Sequence, residues 1–443
     1  MNKKMRRLVV RLCGTTALCV PLLVHAQTSP FDPTLQQLYR TAEAHNATLQ
    51  SARSALTAAQ AGIETARMAK LPEVSAQVSV SYLGNGRLWN RKFGESTSAP
   101  MPHYGNNFLL RAEQVLYAGG AIKSSMTLAS QQAQMAGLTI EEERQRVRFA
   151  LASLYLQLHC LRNRQRVYAT NQQLAQTQIE LMHKRRAQGV SLRNDVTRYE
   201  LQLQQMVLGE RTMHDQQSIL AKQLATALGT DSVAVMLLAD SIVGQTDAHV
   251  GVEAEWQQLA MLQHLGLQKS ALAVDINRTQ ERMARADRLP KVALVAEDHL
   301  DGPITIEVPP INKNFNYWYV GVGVSYNFSS LYKAKRKIKQ SQLNTTLAQD
   351  QLSEAQQGVS DGVHAAYVNL GTARTELATC LKSVQLATEN YEVVSNRYQN
   401  GLAIITDLTD AANMKLEAEL ALANARINVW FNYYNLKYVA HNL

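Results

Sequence analysis

One layout occurs twice in this chain of 443 residues. A Leu-Pro pair at residues 71–72 recurs at residues 289–290. From Tyr155 onward the matched residues are 212 positions apart: Tyr155 with Tyr367, Gly189 with Gly401, Asp195 with Asp407 and Thr197 with Thr409. Self-similarity at a fixed spacing indicates that each copy forms the same structural unit. The sequence therefore predicts one architecture built twice rather than several unrelated domains.

The first 26 residues have the features of a secretory signal peptide. A basic start leads into an apolar stretch, and cleavage is expected between Ala26 and Gln27. The segment holds five of the 45 Lys and Arg residues and none of the 36 Asp and Glu residues, so 40 basic residues face 36 acidic ones beyond it. The net charge of +9 thus falls to +4. The sequence has no basic patch of the kind that binds nucleic acid.

Long helices are predicted from the positions of the prolines and from heptad patterns. Residues 103–289 and 311–443 contain no proline, a residue that costs about 3 kcal/mol inside a helix. Apolar residues follow an uninterrupted heptad pattern over 35–66, which is typical of a coiled-coil seam. We expect helices over about 121–188 and 332–400, each roughly 100 Å long at about 1.5 Å per residue.

Each long helix is predicted to end at a glycine and to return as a second helix. Gly189 and Gly401 can adopt the left-handed conformation that ends a helix. Asp195 and Asp407 then lie near the start of the returning helix, where a carboxylate is favourable. Helix capping alone accounts for much of this pattern, and for Asp195 we leave open whether it has any further role.

Two segments outside the helices read as β-hairpins, at about 72–117 and 290–328. Residues 74–82 alternate between apolar and polar without exception, and 318–328 do the same, ending in aromatic residues. This alternation is typical of outer-membrane strands, although a half-buried soluble sheet is the alternative. The longest apolar run after the signal, residues 233–239, is far shorter than the roughly 20 residues of a membrane helix. Any membrane crossing must therefore use strands.

Four strands cannot close on themselves, and open sheet edges are not tolerated in lipid. The sequence therefore predicts an oligomer that completes the sheet. Polar segments between the strands, at 84–105 and 301–316, are expected to be loops outside the cell. Arg111 and Glu113 are expected to face the lumen.

No motif predicts an enzyme. Zinc-protease, phosphate-loop, Cys-x2-Cys and nucleophile-elbow patterns do not occur in the sequence. Cys160 and Cys380 lie within predicted helices at non-equivalent positions, so we interpret them as buried free thiols. We expect no catalytic residue, no metal and no cofactor.

With these features, the chain resembles the TolC-like family of outer-membrane efflux ducts over essentially its whole mature length. The resemblance depends on the duplicated order of helices and strands, on the Leu-Pro pairs, and on the segments Gln114–Gly120 and Tyr398–Ala411. It implies an α+β membrane protein in which long helical hairpins form a periplasmic α-barrel. Three chains of four strands each would form a 12-stranded outer-membrane β-barrel.

The resemblance also implies a function. It predicts the exit duct of a tripartite efflux or secretion system, which passively conducts substrates to the exterior. Its partners would be two further copies of the chain, outer-membrane lipid, a periplasmic adaptor and, through the adaptor, an inner-membrane transporter. The main alternative is a periplasmic coiled-coil adaptor or scaffold. The sequence does not identify the transported substrate.

Several tip residues acquire roles through the resemblance. Asp407 and Asp410 match inward-facing constriction aspartates, whereas the first half has Asp195 and Arg198. Asp195 and Tyr398 match residues that latch the closed tip. Ala403 stands where the family has an arginine, so we expect either that this tip opens more readily or that Arg397 takes the place of that arginine. The adaptor is expected to dock on two turns, which comprise Gly189, Val190, Ser191, Gly401, Leu402 and Ala403.

The predicted boundaries follow from the repeat. Residues 1–26 form the signal peptide, 27–229 the first repeat with its turn at 189, and 253–443 the second repeat with its turn at 401. Residues 230–252 are predicted to form a linker around the middle of the tunnel.

Overall fold

A computed structural model describes residues 33–230, 250–307 and 310–443. The predicted cleavage site at Ala26 and Gln27 and most of the predicted linker lie outside the described residues. The described part contains eight helices and six strands, in the order α1 (Pro33–His45), α2 (Ala47–Met68), β1 (Glu73–Tyr82), β2 (Gly86–Trp89), β3 (Ser96–Ala99), β4 (Tyr104–Ala118), α3 (Ala121–Ala187), α4 (Arg193–Leu228), α5 (Glu253–Gln263), α6 (Leu265–Ala286), β5 (Lys291–Gly302), β6 (Phe315–Ser325), α7 (Ser330–Gln399) and α8 (Ile405–Val439).

The two long helices match the sequence prediction closely. Helix α3 has 67 residues and α7 has 70, which corresponds to roughly 100 Å each at about 1.5 Å per residue. Each is followed by a shorter helix that returns along it, so α3 packs on α4 and α7 packs on α8. The fold class, long helical hairpins combined with a small number of strands, is confirmed.

The first helix is not continuous, contrary to the heptad reading of residues 35–66. The chain breaks at Asn46, whose side-chain oxygen accepts hydrogen bonds from the backbone N–H groups of Thr48 and Leu49. Its amide also donates to the carbonyl of Ala227 at 2.8 Å. An asparagine that caps a new helix competes with helix continuation, and an apolar seam does not reveal this.

Four strands form one antiparallel sheet in the order β1-β4-β5-β6. Strands β4 and β5 pair with each other, so the two halves of the chain share the sheet. Polar residues line up across it: Ser75 pairs with Arg111, Arg111 with Glu297, and Glu297 with Tyr319. The neighbouring row, Val74, Ala112, Ala296 and Val320, is apolar. The sheet thus has one polar and one apolar face.

The polar face carries a charged network. Arg111 lies 3.0 Å from the Glu297 carboxylate and 2.6 Å from that of Glu113. The Tyr319 hydroxyl donates to Glu297 at 2.6 Å, and His299 contacts the same oxygen at 2.9 Å. On the opposite face Val78, Val80, Trp318 and Val322 are between 63% and 75% exposed. A contiguous exposed apolar surface of this kind marks a face that contacts a membrane or another protein.

Strand limits differ from the prediction in detail. Strand β6 spans 315–325 instead of 318–328, so Tyr326 and Phe328 lie beyond it although the alternation continues through them. The first predicted loop contains a small hairpin, β2 paired with β3. No helix in the described ranges is long and apolar enough to cross a membrane.

The helices are held together by two clusters near their middle. One joins α1, α3, α4 and α8 and comprises, among others, Leu38, Leu151, Tyr155, Leu224 and Trp430. The other joins α5, α6, α7 and α8 through residues such as Leu267, Val363, Leu370 and Leu436. Beside the first cluster, Arg148 of α3 forms a salt bridge of 2.5 Å with the Glu43 carboxylate of α1. Both clusters lie near the middle of the long helices, and α8 contributes to each of them, so the two halves of the chain pack together there.

Candidate functional site

The candidate site is the end of the molecule where both helical hairpins turn. Gly189 and Gly401 have φ angles of 78° and 73°. The N–H of Val190 donates to the Arg185 carbonyl at 3.0 Å, and that of Leu402 donates to the Arg397 carbonyl at 2.8 Å. A left-handed glycine followed by such a bond to a carbonyl five residues earlier is the Schellman motif. The predicted helix ends are confirmed at both positions.

The two returning helices begin alike. The Asp195 carboxylate accepts the N–H of Leu192 at 3.1 Å and the Ser191 hydroxyl at 3.3 Å. At the equivalent place the Asp407 carboxylate accepts the N–H of Ile404 at 3.3 Å. A carboxylate in the first turn accepts a hydrogen bond from a backbone N–H that would otherwise be unpaired. The positive end of the helix dipole also stabilises its negative charge. Both aspartates thus act as caps, as their position in the sequence predicts.

A buried cluster supports the turns. It contains Met182, Val196, Tyr199, Tyr398 and Leu408, drawn from all four helices of the tip. Tyr199 is 2% exposed, and burial together with the neighbouring Tyr391 raises its pKa. The phenol therefore stays neutral throughout the physiological range.

One arginine joins the two hairpins. Nη1 of Arg185, near the end of α3, donates to the carbonyls of Tyr398 and Gln399 at 3.2 and 2.5 Å. Its guanidinium carbon lies 5.5 Å from the centre of the Tyr398 ring. These carbonyls end α7, where a cation is favourable. Arg185 was missed in the sequence analysis, because its partners are more than 200 residues away.

Polar side chains continue this junction along the helices. Arg198 donates to the Thr406 hydroxyl at 3.3 Å. Gln202 donates to Asn413 at 2.8 Å, and further up Asn171 donates to Glu419 at 2.6 Å. The two hairpins therefore meet through hydrogen bonds as well as through the buried tip cluster.

The predicted constriction residues lie together on α8. Asp407 and Asp410 are exposed, and the Asp410 side chain forms no hydrogen bond or ion pair with any residue in the described ranges. The equivalent of Asp410 in the first half is Arg198, which is also exposed. Within one chain, the two acids are therefore free to face an aqueous space; their role in a constriction stays a prediction.

The predicted latch residues do not contact one another within the chain. Asp195 caps its own helix, and Arg397 donates to the Leu402 carbonyl of its own turn at 3.3 Å. Tyr398 is buried and is held by Arg185. No hydrogen bond or ion pair of the described part joins any two of the three. Their action as a latch stays a prediction.

The predicted docking turns are exposed and apolar. Val190 is 63% exposed and Leu402 is 68% exposed, while Ala403 packs partly against the tip cluster. Two further residues were missed: Leu192 and Ile404 are 71% and 65% exposed. Both occupy N-cap positions, where Ser, Thr, Asp and Asn are preferred. An apolar residue at two equivalent N-caps was the signal in the sequence for the exposed apolar surface of these turns; its role in docking stays a prediction.

Comparison with known proteins identifies the family. The model of the outer membrane efflux protein family matches residues 38–230 and again residues 256–437. The chain belongs to this family. The double match agrees with the internal repeat, and the resemblance inferred from the sequence is confirmed.

Known members of the outer membrane efflux protein family are distant in sequence and close in fold. Outer membrane protein TolC of Salmonella enteritidis is 22% identical over 434 residues, covering 96% of this chain and 86% of that protein. The outer membrane protein VceC of Vibrio cholerae has a TM-score of 0.75 at 15% identity, covering 92% of this chain and 95% of VceC. The CmeC outer membrane channel of Campylobacter jejuni has a TM-score of 0.75 at 14% identity, covering 93% and 86%.

Proposed function

We propose that three copies of this efflux-family chain form an exit duct through the outer membrane, with the helices as a tunnel in the periplasm. The observation that carries the proposal is the four-stranded sheet. It has one apolar and one polar face, and within the described chain β1 and β6 each pair on only one side. Open edges are not viable in lipid. Three copies supply twelve strands and remove every edge.

Conduction through such a duct needs no chemical step. The polar face of the sheet and the wetted helices line the path, and the chain supplies fixed charges rather than a reacting group. A periplasmic adaptor would connect the tip to an inner-membrane transporter, which supplies the energy. The apolar turns at the tip are the surface that we assign to the adaptor.

The constriction is assigned to Asp407 and Asp410. In a trimer these residues place six carboxylates around one axis, which attracts cations and repels anions. Asp407→Asn with Asp410→Asn is expected to lower cation selectivity, measured as the reversal potential across a planar bilayer in a KCl gradient. Asp350→Asn with Glu354→Gln removes the same charge from an exposed stretch of α7 far from the tip.

The change in reversal potential distinguishes a ring of carboxylates on the conduction path from aspartates that only stabilise the helix start. If both pairs of substitutions shift the reversal potential equally, the tip aspartates have no special place on the conduction path. Asp407 is the third residue of α8 and accepts the N–H of the N-cap residue Ile404. The amide oxygen of an asparagine there can accept the same hydrogen bond, so the helix start is kept.

Adaptor docking is tested by photo-crosslinking in cells that produce the chain with its adaptor. A photoreactive amino acid at Val190 or Leu402 is expected to capture the adaptor. Leu208, which is 68% exposed on α4 away from the tip, is the matched control. Crosslinks from Leu208 but from neither turn would contradict this docking surface.

A further inference from the structure

The side chains that join the two hairpins near the tip have duplicates that stay exposed. The repeat relates each position of the first hairpin to the position 212 residues later in the second. Within the chain, Gln202 of α4 donates to Asn413 of α8 at 2.8 Å. The duplicate of Gln202 is Met414, and the duplicate of Asn413 is Leu201. Because a repeated unit that packs on its neighbour keeps a matching surface for the next unit, these two positions are candidates for contact between copies.

Leu201 and Met414 have the chemistry of two sides of one contact. Leu201 is 60% exposed on α4, and Met414 is 58% exposed on α8. A single exposed apolar residue is ordinary on a protein surface. Here both members of a duplicated pair are large, apolar and exposed, where the pair within the chain consists of two amides. Packing one against the other removes apolar surface from water on both sides.

A second duplicated pair is complementary as well. Within the chain, Arg198 donates to the Thr406 hydroxyl at 3.3 Å. The duplicates of these residues are Asp410 and Asn194, and both are exposed. An asparagine amide donates hydrogen bonds and a carboxylate accepts them. Neither side chain forms a hydrogen bond or ion pair with any residue in the described ranges, so each can bind the other across two copies.

The contact between copies differs from the contact within the chain nearest the turns. Tyr398 and Ile405 are buried in the tip cluster, where the second hairpin packs on the first. Their duplicates are Arg186 and Arg193, which are exposed. Leu201 lies eight residues after Arg193 on α4, roughly 12 Å along the helix at about 1.5 Å per residue. The contact between copies is therefore charged at the turns and apolar further up the helices.

We propose that the first hairpin of each copy packs on the second hairpin of the next copy in the register of the repeat, so that Leu201 packs on Met414 and Asn194 donates to Asp410. This proposal rests on the proposed trimer and assigns the surfaces that meet in it. A surface that binds a different surface of the next copy forms a heterologous contact, which closes into a ring when the rotation allows. The constriction is then completed across copies, because Asn194 of one copy holds the Asp410 carboxylate of its neighbour.

Cysteine cross-linking tests the apolar contact in isolated outer membranes. Leu201→Cys is combined with Met414→Cys in a chain that also carries Cys160→Ser and Cys380→Ser, so that the mature protein has no other thiol. After mild oxidation, a non-reducing denaturing gel is expected to show a product with the mass of three chains. Reduction should return this product to the mass of one chain.

Two matched pairs control the cross-link. Gln202→Cys with Asn413→Cys replaces the pair that is in contact within the chain, so it should oxidise and keep the mass of one chain. Glu200→Cys with Met414→Cys moves one thiol by a single residue on α4, which turns it to another face of the helix. Thiols that point apart cannot be bridged, so this pair should give less than about a tenth of the linked product.

A charge exchange tests the polar contact in the same assay. Asn194→Asp places a second carboxylate beside Asp410, and like charges in contact are unfavourable. The substitution is expected to lower the yield of the three-chain product about threefold or more at low salt. Asn194→Asp combined with Asp410→Asn restores a donor opposite an acceptor and should recover the yield.

The outcomes separate this contact from the duct itself. If the unaltered protein sediments as a trimer but the Leu201 and Met414 cysteines give no linked product, the contact is wrong and the duct stands. If no trimer forms, the duct and the contact are both contradicted. Equal product from the Glu200 pair would indicate random collision and overturn the proposal. A yield that Asn194→Asp leaves unchanged would show that Asn194 does not hold Asp410.

Discussion

Replacing Arg185 by alanine tests the contact that joins the two repeats at the tip. The substitution removes the charged donor from the carbonyls of Tyr398 and Gln399 and the guanidinium from the Tyr398 ring. It leaves the turn itself intact, because the Schellman bonds at Gly189 use only backbone atoms. The expected result is a tip whose second hairpin opens more often while the rest of the chain stays folded.

The magnitude follows from the contacts. Hydrogen bonds from a charged donor contribute roughly 1.5–3 kcal/mol when they are shielded, and an exposed cation–π contact roughly 0.5–1 kcal/mol. Arg185 is only half-buried and Gln399 is exposed. The two hydrogen bonds start from one nitrogen, so we count them together as one bond at the lower end of the range, about 1.5 kcal/mol, and the ring contact as about 0.5 kcal/mol. The sum is about 2 kcal/mol, which corresponds to about a 30-fold change in the opening equilibrium.

Hydrogen exchange measured by mass spectrometry reads this equilibrium. Amides of residues 396–406 are expected to exchange about 30-fold faster in Arg185→Ala, because they exchange through local opening of the tip. Exchange near Leu370, in the middle of the bundle, should not change. In planar bilayers the same variant should spend more time in its most conductive state.

Two control substitutions make the result specific. Arg186→Ala removes an exposed neighbour of equal charge whose side chain forms no hydrogen bond, ion pair or ring contact with α7 among the described residues. Tyr398→Phe keeps the ring and the carbonyl that Arg185 binds and removes only the hydroxyl assigned to the latch, so it separates the effect of that hydroxyl from the effect of the Arg185 contact. If Arg185→Ala and Arg186→Ala accelerate exchange equally, then general charge rather than the bridging contact governs the tip, and the reasoning is wrong.

Three further predictions concern other parts of the chain. Burial and the adjacent His441 lower the pKa of His264 to about 4, below the roughly 6.5 of the unfolded chain; the unfolded state therefore binds more protons between these values, and stability is full above pH 6.5 and falls as the pH drops toward 4. His264→Asn keeps the acceptor that caps α6 and should remove part of this loss in melting temperature. A Cβ on Gly119 would meet a backbone carbonyl oxygen at 2.8 Å, whereas one on Gly120 meets nothing within 4 Å, although both residues have positive φ. Chemical denaturation should therefore show Gly119→Ala to be roughly 1–3 kcal/mol less stable than Gly120→Ala. Lysine at Val78, on the apolar face, should oppose membrane insertion by roughly 2–4 kcal/mol, whereas lysine at Gln77, on the polar face, should be tolerated, as measured by the yield of assembled protein in outer membranes.

The parts of the fold that were predictable depend on short-range signals. The ends of α3 and α7 were found because a glycine at the end of a helix acts on its own neighbours, and Gly189 and Gly401 do so. The strand β1 was found because its alternation is complete. In contrast, the break at Asn46 lies inside an unbroken apolar pattern, and only its long-range contact with Ala227 stabilises a second helix start there.

The site was predictable as a set of positions but not as a set of contacts. Asp195 and Asp407 were placed correctly as caps, since capping is local. Arg185 was missed because nothing near it in the sequence identifies the carbonyls of Tyr398 as its acceptor. Likewise, the end of β6 was misplaced because Tyr326 continues the alternation past the last paired residue.

The contacts at the tip explain why duplication does not make its two halves equivalent. Arg185 and Arg397 are matched by the repeat, yet the first reaches across to the other hairpin and the second binds its own turn. Arg198 and Asp410 are matched as well, and they carry opposite charges. Backbone roles are therefore kept in both copies, because a helix end imposes the same geometry wherever it occurs. Asp195 and Asp407 also keep one capping role in both copies. The side chains that reach beyond their own turn have diverged, so in the proposed trimer the first repeat joins the two hairpins through Arg185 and the second repeat alone gives the constriction its net negative charge.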